Sequence, residues 1–254
     1  MKECFLILIS SGLDSTAAFL KLVYDNENPE AIFFPIYICW KKKSIDALKK
    51  EYENCEKLIT HITEKYPQKT KNLKKLTKIN IPLIFHEELK DLFDKSDKSG
   101  YWPYFRNGIF ILSTVSYMLN LLKLEDYSQF NKISIAVGFI GNVTDEDMSF
   151  VKNMKKLLNE ALMKPNIKKR SGVIEIAKEF DFYHPYLSDD EISYPIRPYF
   201  DIERYADSNI LKYTWSCWKA YDNPCMKCGG CQTRKDKYER YKEEGGTLID
   251  PYYE

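Results

Sequence analysis

The chain has 254 residues, of which 44% are hydrophobic and 30% are charged, and its formal net charge is +1. This composition predicts an ordinary globular protein with a sizeable core, and the near-neutral charge argues against nucleic-acid binding. No apolar run approaches the roughly 18 residues of a membrane span. The apolar start carries Glu3 and lacks a small-residue cleavage pattern, which favours a buried first strand and a cytoplasmic location over an export signal.

Strand and helix patterns alternate along most of the chain. Apolar runs of strand length lie at residues 4–10, 31–40, 76–84, 133–138 and 173–176. Apolar residues with helical spacing lie at residues 14–24, 44–66, 106–124 and 145–163. The alternation predicts an α/β fold, a parallel sheet with helices on both faces, in which ligands bind at the carboxyl ends of the strands.

Some of these segments carry more specific expectations. Pro35 within the second strand indicates an edge strand or a bulge. The segment 106–124 is apolar on almost every face and predicts a buried helix. Thr144 or Asp145 is the expected N-cap of the last helix. Residues 181–198 are rich in Tyr, Pro, Asp and Ser, and we expect an irregular insertion there.

The segment Ser10-Ser11-Gly12-Leu13-Asp14-Ser15 lies between the first strand and the first helix. A helix start offers unpaired N–H groups, Gly12 permits close approach of the backbone, and the serines supply hydroxyl donors, all of which suits a phosphate group. Asp14 fits such a site if it shares a magnesium ion with the phosphates. The alternative is an ordinary capped helix, because Ser and Asp are common capping residues.

Four of the seven cysteines follow the spacing C-x7-C-x2-C-x2-C; they are Cys217, Cys225, Cys228 and Cys231. Each x2 step lets two thiolates face one ion, and Gly229 and Gly230 relieve crowding there. Four thiolates predict a structural zinc site with no open position for a substrate. Disulfides are disfavoured in a reducing compartment, and an iron–sulfur cluster stays an alternative.

The sequence also indicates roles for the basic residues near the cluster and for the other cysteines. Four basic residues near the cluster are placed to offset the charge of the thiolates: Lys219, Lys227, Arg234 and Lys235. The remaining cysteines, Cys4, Cys39 and Cys55, lie in apolar patterns and predict core positions. The histidines, His61, His86 and His184, show no paired arrangement, and none is assigned a catalytic role.

The segment at residues 10–15 resembles the SGGxDS loop of the PP-loop ATP pyrophosphatases, with Ser11 in place of the first glycine. The resemblance implies an adenine nucleotide alpha-hydrolase-like fold. It also implies that the β,γ-pyrophosphate of ATP is bound by the whole loop, Ser10, Ser11, Gly12, Leu13, Asp14 and Ser15, with Asp14 and Ser15 also catalytic. If position 11 needs a positive φ, a serine there adds about 1 kcal/mol of strain.

The loop and the cysteines together resemble one family, the 7-cyano-7-deazaguanine synthases. Thr214–Trp218 resembles the family's TWSCY, Cys225–Arg234 its terminal zinc motif, Pro103–Phe110 its P-x-RN-x-IF segment, and Ile135–Gly138 its strand that ends in a glycine. The resemblance implies ATP, Mg²⁺ and Zn²⁺ as cofactors and contact of Gly138 with the nucleotide. It also implies a catalytic Arg106, since a guanidinium can bind phosphates and stabilise charge as pyrophosphate leaves; a surface ion pair is its alternative role.

Two segments depart from the family. After the strand the family carries an aspartate followed by GYPDCR, whereas residues 139–147 read FIGNVTDED, without the Pro, Cys and Arg. Residues 198–204 retain little of the PL-x2-LTKAEI segment. The nucleotide and zinc motifs are thus kept, while the region expected to recognise the substrate is altered. We expect a nucleotide-binding α/β domain at residues 1–180. Residues 181–254 are expected to form the irregular insertion and a zinc-binding region packed on the same domain.

The resemblance implies the substrate 7-carboxy-7-deazaguanine, whose carboxylate is adenylated and then converted by ammonia to an amide and by a second ATP to a nitrile. The altered segments favour an alternative, a relative from antiviral defence clusters that passes the acyl group to an amine of a partner protein. A tRNA-modifying PP-loop enzyme is disfavoured by the near-neutral charge. A nucleotide-binding subunit without turnover is a further hypothesis. The family is commonly dimeric, which implies a homodimer.

Overall fold

The computed structural model describes residues 3–40, 45–81, 106–121, 130, 132–139, 147–162, 179–187, 196–219 and 222–253. Within these residues the strands are β1 (Glu3–Leu8), β2 (Ile32–Trp40), β3 (Thr77–Ile81), β4 (Lys132–Ala136) and β5 (Phe180–Tyr183). The α-helices are α1 (Leu13–Asp25), α2 (Ile45–Lys65), α3 (Arg106–Leu121), α4 (Met148–Leu162), α5 (Arg197–Tyr205) and α6 (Gly229–Glu243). A 3-10 helix spans Ser208–Tyr213.

The described strands form one parallel sheet in the order β3-β2-β1-β4-β5. The chain runs outward from β1 to β3 and then returns to the other side of β1 with β4. In such a sheet ligands bind beyond the carboxyl ends of the strands, where the strand order reverses. Residues 10–15 follow β1 directly and therefore lie at that position, as the sequence predicts.

Helices cover both faces of the sheet, which confirms the predicted α/β architecture. Alternate residues of β1 enter two separate cores, Phe5 and Ile7 on one face and Cys4 and Leu6 on the other. The first core also contains side chains of α1, α2, α5 and α6, and the second contains side chains of α3 and α4. No helix in the described part of the chain combines the length and the apolar character needed to cross a membrane.

The edge position expected from Pro35 is wrong, because β2 lies between β1 and β3. Phe33 exchanges backbone hydrogen bonds with the segment that precedes β3, and Pro35, two residues later, turns its nitrogen to the same side. Pairing between β2 and β3 begins only at Ile36, opposite Thr77. The missing N–H of Pro35 therefore falls where β3 has not yet begun.

Two other segments differ from expectation. α3 is not buried on every face: Ile111 and Met118 are fully buried, whereas Leu112 is 40% exposed. Residues expected to be irregular include most of β5, which pairs in parallel with β4. The strand expected at residues 173–176 lies outside the described residues.

The N-cap of α4 also differs from expectation. The helix begins at Met148, and the side chain of Asp147 accepts a hydrogen bond of 2.6 Å from the backbone N–H of Phe150. Asp147, rather than Thr144 or Asp145, therefore caps this helix. The sequence offers several acidic and polar residues in a row here, and the hydrophobic pattern alone does not fix the first turn.

Candidate functional site

The loop after β1 places its unusual backbone conformation at Ser11. Ser11 has φ of 52°, in the left-handed region, whereas Gly12 has φ of −63° and ψ of 154°, which any residue adopts. Gly12 therefore does not need the conformational freedom of glycine, and the condition attached to Ser11 is met. Because a side chain in this region meets the following carbonyl, Ser11 carries about 1 kcal/mol of strain.

The first turn of α1 presents free backbone donors. Thr16 N–H bonds to the carbonyl oxygen of Gly12 at 3.0 Å, but no described residue accepts a hydrogen bond from the backbone N–H of Leu13, Asp14 or Ser15. Unpaired N–H groups and the positive end of the helix dipole lie together at such a helix start. This arrangement fits the oxygen atoms of a phosphate group.

The serine hydroxyls of the loop have unequal access to a ligand. Ser10 is exposed and Ser15 half-buried, and their Oγ atoms lie 3.2 Å apart. Ser11 is 0% exposed, and its Oγ has no hydrogen-bond partner among the described residues. Ser10 and Ser15 can therefore donate to a bound anion, while Ser11 contributes mainly through its backbone.

Gly138 brings the end of β4 against the first turn of α1. A Cβ atom at this position would lie 2.7 Å from the carbonyl carbon of Asp14 and 2.7 Å from the nitrogen of Ser15. These are backbone atoms, so a side chain at residue 138 could be accommodated only if the loop moved. The structure thus brings the predicted site residue Gly138 into contact with the predicted loop.

Lys237 of α6 contacts the loop, although the sequence did not single it out. Its Nζ lies 2.8 Å from both carboxylate oxygens of Asp14. The side chain of Lys237 is 8% exposed and that of Asp14 is 28% exposed. A signal was present in the sequence, because Lys237 follows Cys231 and Arg234 at intervals of three on one helical face.

Arg106 is the first residue of α3, which connects β3 to β4. Because these strands are parallel, the start of the connecting helix lies at the carboxyl edge of the sheet. The Nε of Arg106 donates a hydrogen bond of 3.1 Å to Oδ1 of Asn107, and its guanidinium lies 5.9 Å from the ring centre of Phe110. The fold therefore places Arg106 at the expected edge, and its role toward phosphates stays a prediction.

The four cysteines predicted to bind zinc lie together. The Sγ atoms of Cys217, Cys225, Cys228 and Cys231 are all within 4.8 Å of one another. Ligand distances of about 2.3 Å in a tetrahedral zinc site separate the sulfur atoms by about 3.8 Å. The spacing of these thiols therefore fits one zinc ion, and four sulfur ligands leave no open position for a substrate.

Backbone N–H groups lie against several of the sulfur atoms and favour the thiolate form of Cys225, whereas burial and the neighbouring Cys228 raise the pKa of Cys231. Trp218 N–H donates to Sγ of Cys228 at 3.4 Å, and Cys225 N–H donates to Sγ of Cys217 at 3.4 Å. Burial acts to raise the pKa of Cys225, but hydrogen bonds from the backbone of Lys227 and Cys228 outweigh it and lower that pKa to about 7. A low pKa suits a metal ligand, since the thiolate binds the ion.

The two glycines of the cysteine cluster relieve crowding as predicted. A Cβ atom at Gly230 would lie 2.0 Å from the carbonyl oxygen of Ser216, and one at Gly229 would lie 3.0 Å from the ring of Trp218. The start of α6 can therefore lie against the strand-like segment that carries Cys217 only because these positions have no side chain.

Arg234 does not offset the charge of the thiolates as expected. Its Nε and Nη2 donate to the two carboxylate oxygens of Asp250 at 2.7 and 2.8 Å. Both side chains are almost completely buried, and the hydroxyl of Tyr199 donates to the same carboxylate at 2.6 Å. Arg234 therefore anchors the C-terminal residues on α5 and α6. Lys235 pairs with Glu239 on the surface of the same helix.

The buried cysteines outside the cluster behave as predicted core residues. Cys4 and Cys55 are 0% exposed, and Cys39 is partly buried against the first core. His61 packs against Tyr213 with ring centres 5.4 Å apart. His86 lies outside the described residues, as do the first residues of the segment at 103–110.

The chain is similar to known proteins. Over 37 residues it is 43% identical to a 7-cyano-7-deazaguanine synthase from Prochlorococcus marinus (strain MIT 9215), a stretch that covers 15% of this chain and 16% of that protein. The chain thus matches about one sixth of the length of this curated relative. The family described as queuosine biosynthesis protein QueC matches residues 4–242, which include the loop after β1, Gly138, Lys237 and the four clustered cysteines. Because this match extends over nearly the whole sequence, the chain belongs to the QueC family.

Proposed function

We propose that this protein activates a carboxylate by attaching AMP from ATP to it, and that the acid is 7-carboxy-7-deazaguanine. The observation that carries the proposal is the first turn of α1, where the N–H groups of Leu13, Asp14 and Ser15 have no acceptor among the described residues. These donors lie beyond the carboxyl end of the central strand, where α/β sheets bind nucleotides. Membership of the QueC family supports the same reaction class.

The residues around the loop have complementary roles in this proposal. The free N–H groups and the hydroxyls of Ser10 and Ser15 hold the β- and γ-phosphates. Gly138 leaves room beside the first turn, and Arg106 stabilises the charge that develops as pyrophosphate leaves. Mg²⁺ bound with ATP neutralises part of the phosphate charge. Zinc on the four cysteines is structural and takes no part in the chemistry.

The proposed reaction uses ATP twice. A carboxylate oxygen attacks the α-phosphorus of ATP, an oxygen–phosphorus bond forms, and the bond to the departing pyrophosphate breaks. Ammonia then attacks the activated carbonyl carbon, AMP leaves, and a proton is lost to give the amide. A second ATP activates the amide oxygen in the same way and releases pyrophosphate, and loss of AMP and of both protons of the amide nitrogen gives the nitrile. A bare carboxylate lacks such a leaving group, which is why activation is needed.

A second candidate function uses the same activation and a different acceptor. The adenylated acid passes to an amine of a partner protein. The observation that favours it is the altered sequence at residues 139–147, where the family's GYPDCR is absent. In this version the first turn of α1 and Arg106 keep their roles.

Mass spectrometry of the reaction products tests the proposal. The protein is incubated with ATP, Mg²⁺ and 7-carboxy-7-deazaguanine, with and without ammonia, and AMP, pyrophosphate and the deazaguanine products are measured. AMP that appears only with the acid supports the proposal, and an acid-dependent mass increase on an added protein supports the second candidate. Absence of AMP with every acid tested would indicate a nucleotide-binding subunit without turnover.

Two variants at opposite ends of α1 supply the site test and its control. Asp14→Asn keeps the shape of the side chain but removes its charge from the loop, and we expect AMP formation to fall at least about tenfold. Asp25→Asn alters a carboxylate at the last residue of the same helix, far from the loop, and we expect near-normal turnover. Normal turnover by Asp14→Asn would contradict the site assignment.

A further inference from the structure

The contact between Lys237 and Asp14 joins α6, which carries Cys231, to the first turn of α1. Lys237 lies six residues after the cysteine ligand Cys231 on α6, about 9 Å along the helix axis. Asp14 lies in the first turn of α1. The lysine Nζ is 2.8 Å from each oxygen of the carboxylate, so both oxygens of Asp14 have the same partner.

The two partners of this ion pair differ in how deeply they are buried. The side chain of Lys237 is 8% exposed, and among the described residues its hydrogen-bond partners are the two oxygens of Asp14, whereas Asp14 is 28% exposed. A buried ammonium is stable only beside a negative charge, since desolvation of an unpaired ion costs several kcal/mol. Lys237 therefore depends on Asp14, and the pair fixes α6 against the start of α1.

The pair also changes the charge that a nucleotide meets. An unpaired carboxylate in the first turn of α1 would repel phosphate oxygens bound to the adjacent N–H groups. A magnesium ion on Asp14 would remove that repulsion, and so would a lysine. In the structure the ammonium of Lys237 contacts both oxygens of the Asp14 carboxylate, which leaves no uncompensated negative charge on Asp14 beside the positive helix end.

We propose that Lys237 is a positioning residue of the nucleotide site: it neutralises Asp14 and fixes the first turn of α1, so that the pyrophosphate end of ATP binds there without a metal ion on Asp14. This inference rests on the proposed function, because it assumes that the loop binds the triphosphate. Magnesium that accompanies ATP is then held by the phosphates and not by Asp14.

Calorimetric titration with inorganic pyrophosphate and with ATP, each in magnesium-free buffer without a chelator and in Mg²⁺, tests the inference on the full-length zinc-loaded protein. The wild-type protein is expected to bind pyrophosphate in the magnesium-free buffer. Lys237→Gln should weaken that binding about tenfold or more, and Mg²⁺ should restore part of it because a metal ion can then bind Asp14. Lys235→Gln changes an exposed lysine on the same helix and should leave the affinity unchanged.

Two further variants separate charge neutralisation from a merely structural contact. Lys237→Arg keeps a cation beside Asp14 and should retain binding within about threefold. The double variant Lys237→Gln with Asp14→Asn removes both charges and should regain most of the affinity in magnesium-free buffer that Lys237→Gln loses. Thermal unfolding without ligand shows that each variant is folded.

The outcomes distinguish this inference from the function on which it rests. If the wild-type protein binds neither pyrophosphate nor ATP under any condition, the proposed function fails. If the wild-type protein binds and Lys237→Gln binds equally well in magnesium-free buffer, the inference fails and the proposed function stands. Wild-type binding that disappears in magnesium-free buffer would likewise overturn the inference, as would a double variant no better than Lys237→Gln.

Discussion

The backbone N–H of Trp215 donates a hydrogen bond of 2.8 Å to the carbonyl oxygen of Ser11. Trp215 lies two residues before the first clustered cysteine, Cys217, and Ser11 is the loop residue with the positive φ. The bond holds the strained peptide from one side, while Lys237 holds Asp14 from the other. The cysteine cluster therefore determines the position of two segments that support the loop.

Loss of zinc should consequently impair nucleotide binding at a site the metal does not touch. We expect Cys228→Ser to lose zinc and to weaken ATP binding at least about tenfold, because the segment at Trp215 and the start of α6 both lose their anchor. Metal analysis and ATP titration on the same preparation check this. Cys55→Ala, at a buried cysteine outside the cluster, is the control and should keep both zinc and ATP. ATP affinity that survives zinc loss would contradict the coupling.

Ser11→Gly should stabilise the protein. Glycine adopts the observed φ of 52° without strain, and the substitution also removes a buried hydroxyl with no partner among the described residues. We expect the free energy of unfolding to rise by about 1 kcal/mol, as measured by urea denaturation. Ser11→Ala removes the hydroxyl but keeps the strain, so it should gain less than Ser11→Gly. Equal stability of the two variants would show that the backbone strain is small.

Gly138→Ala should disturb the loop. The new Cβ would lie 2.7 Å from backbone atoms of Asp14 and Ser15, and overpacking against a backbone costs about 1–3 kcal/mol. We expect lower stability together with weaker ATP binding, measured by denaturation and titration. Gly12→Ala supplies the comparison, because its Cβ meets side-chain rather than backbone atoms, the hydroxyl oxygens of Ser10 at 3.2 Å and of Ser15 at 3.8 Å. Wild-type behaviour of Gly138→Ala would show that the loop and β4 are farther apart than described.

Asp181 should contribute to stability at neutral pH and lose that contribution in acid. Burial acts to raise its pKa, but hydrogen bonds from Lys155, the backbone of Phe182 and Lys132 outweigh burial and hold the pKa below its usual value of 3.8. A carboxylate with a lowered pKa stabilises the fold above about pH 4 and ceases to do so as the pH falls through its folded pKa. Asp181→Asn should therefore be less stable than the wild type at pH 6, and the difference should shrink by pH 3.

Urea denaturation at several pH values measures this effect. The control is Glu160→Gln, which removes an exposed i,i+4 pair with Lys156 on α4; such pairs contribute little to stability. A constant difference between wild type and Asp181→Asn across this pH range would argue against the ionised pair as its cause.

Local patterns in the sequence predicted the architecture and the composition of the candidate site. The alternation of strand and helix periods predicted the parallel sheet, and the cysteine spacing predicted the cluster, since both are encoded within a few residues. Strand order is not encoded locally, and so Pro35 was misplaced at an edge. The same holds for α3, whose composition does not say that Leu112 faces outward.

The contacts that complete the site come from distant parts of the chain. Asp14 and Lys237 are separated by 223 residues and Arg234 and Asp250 by 16. Hydrophobic periodicity says which face of a helix is buried but not which opposite charge a buried cation will meet there. Charge alone therefore suggested that Arg234 would lie near the thiolates, whereas its guanidinium pairs with Asp250.

The loop and the lysine that pairs with it leave the ribosome at different times. Residues 10–15 emerge long before the lysine that pairs with Asp14, which follows 223 residues later. A nascent chain that stops before α6 carries the loop without this cation and without the cluster that positions it. Added nucleotide should therefore protect the finished polypeptide against proteases while leaving its prematurely terminated fragments susceptible.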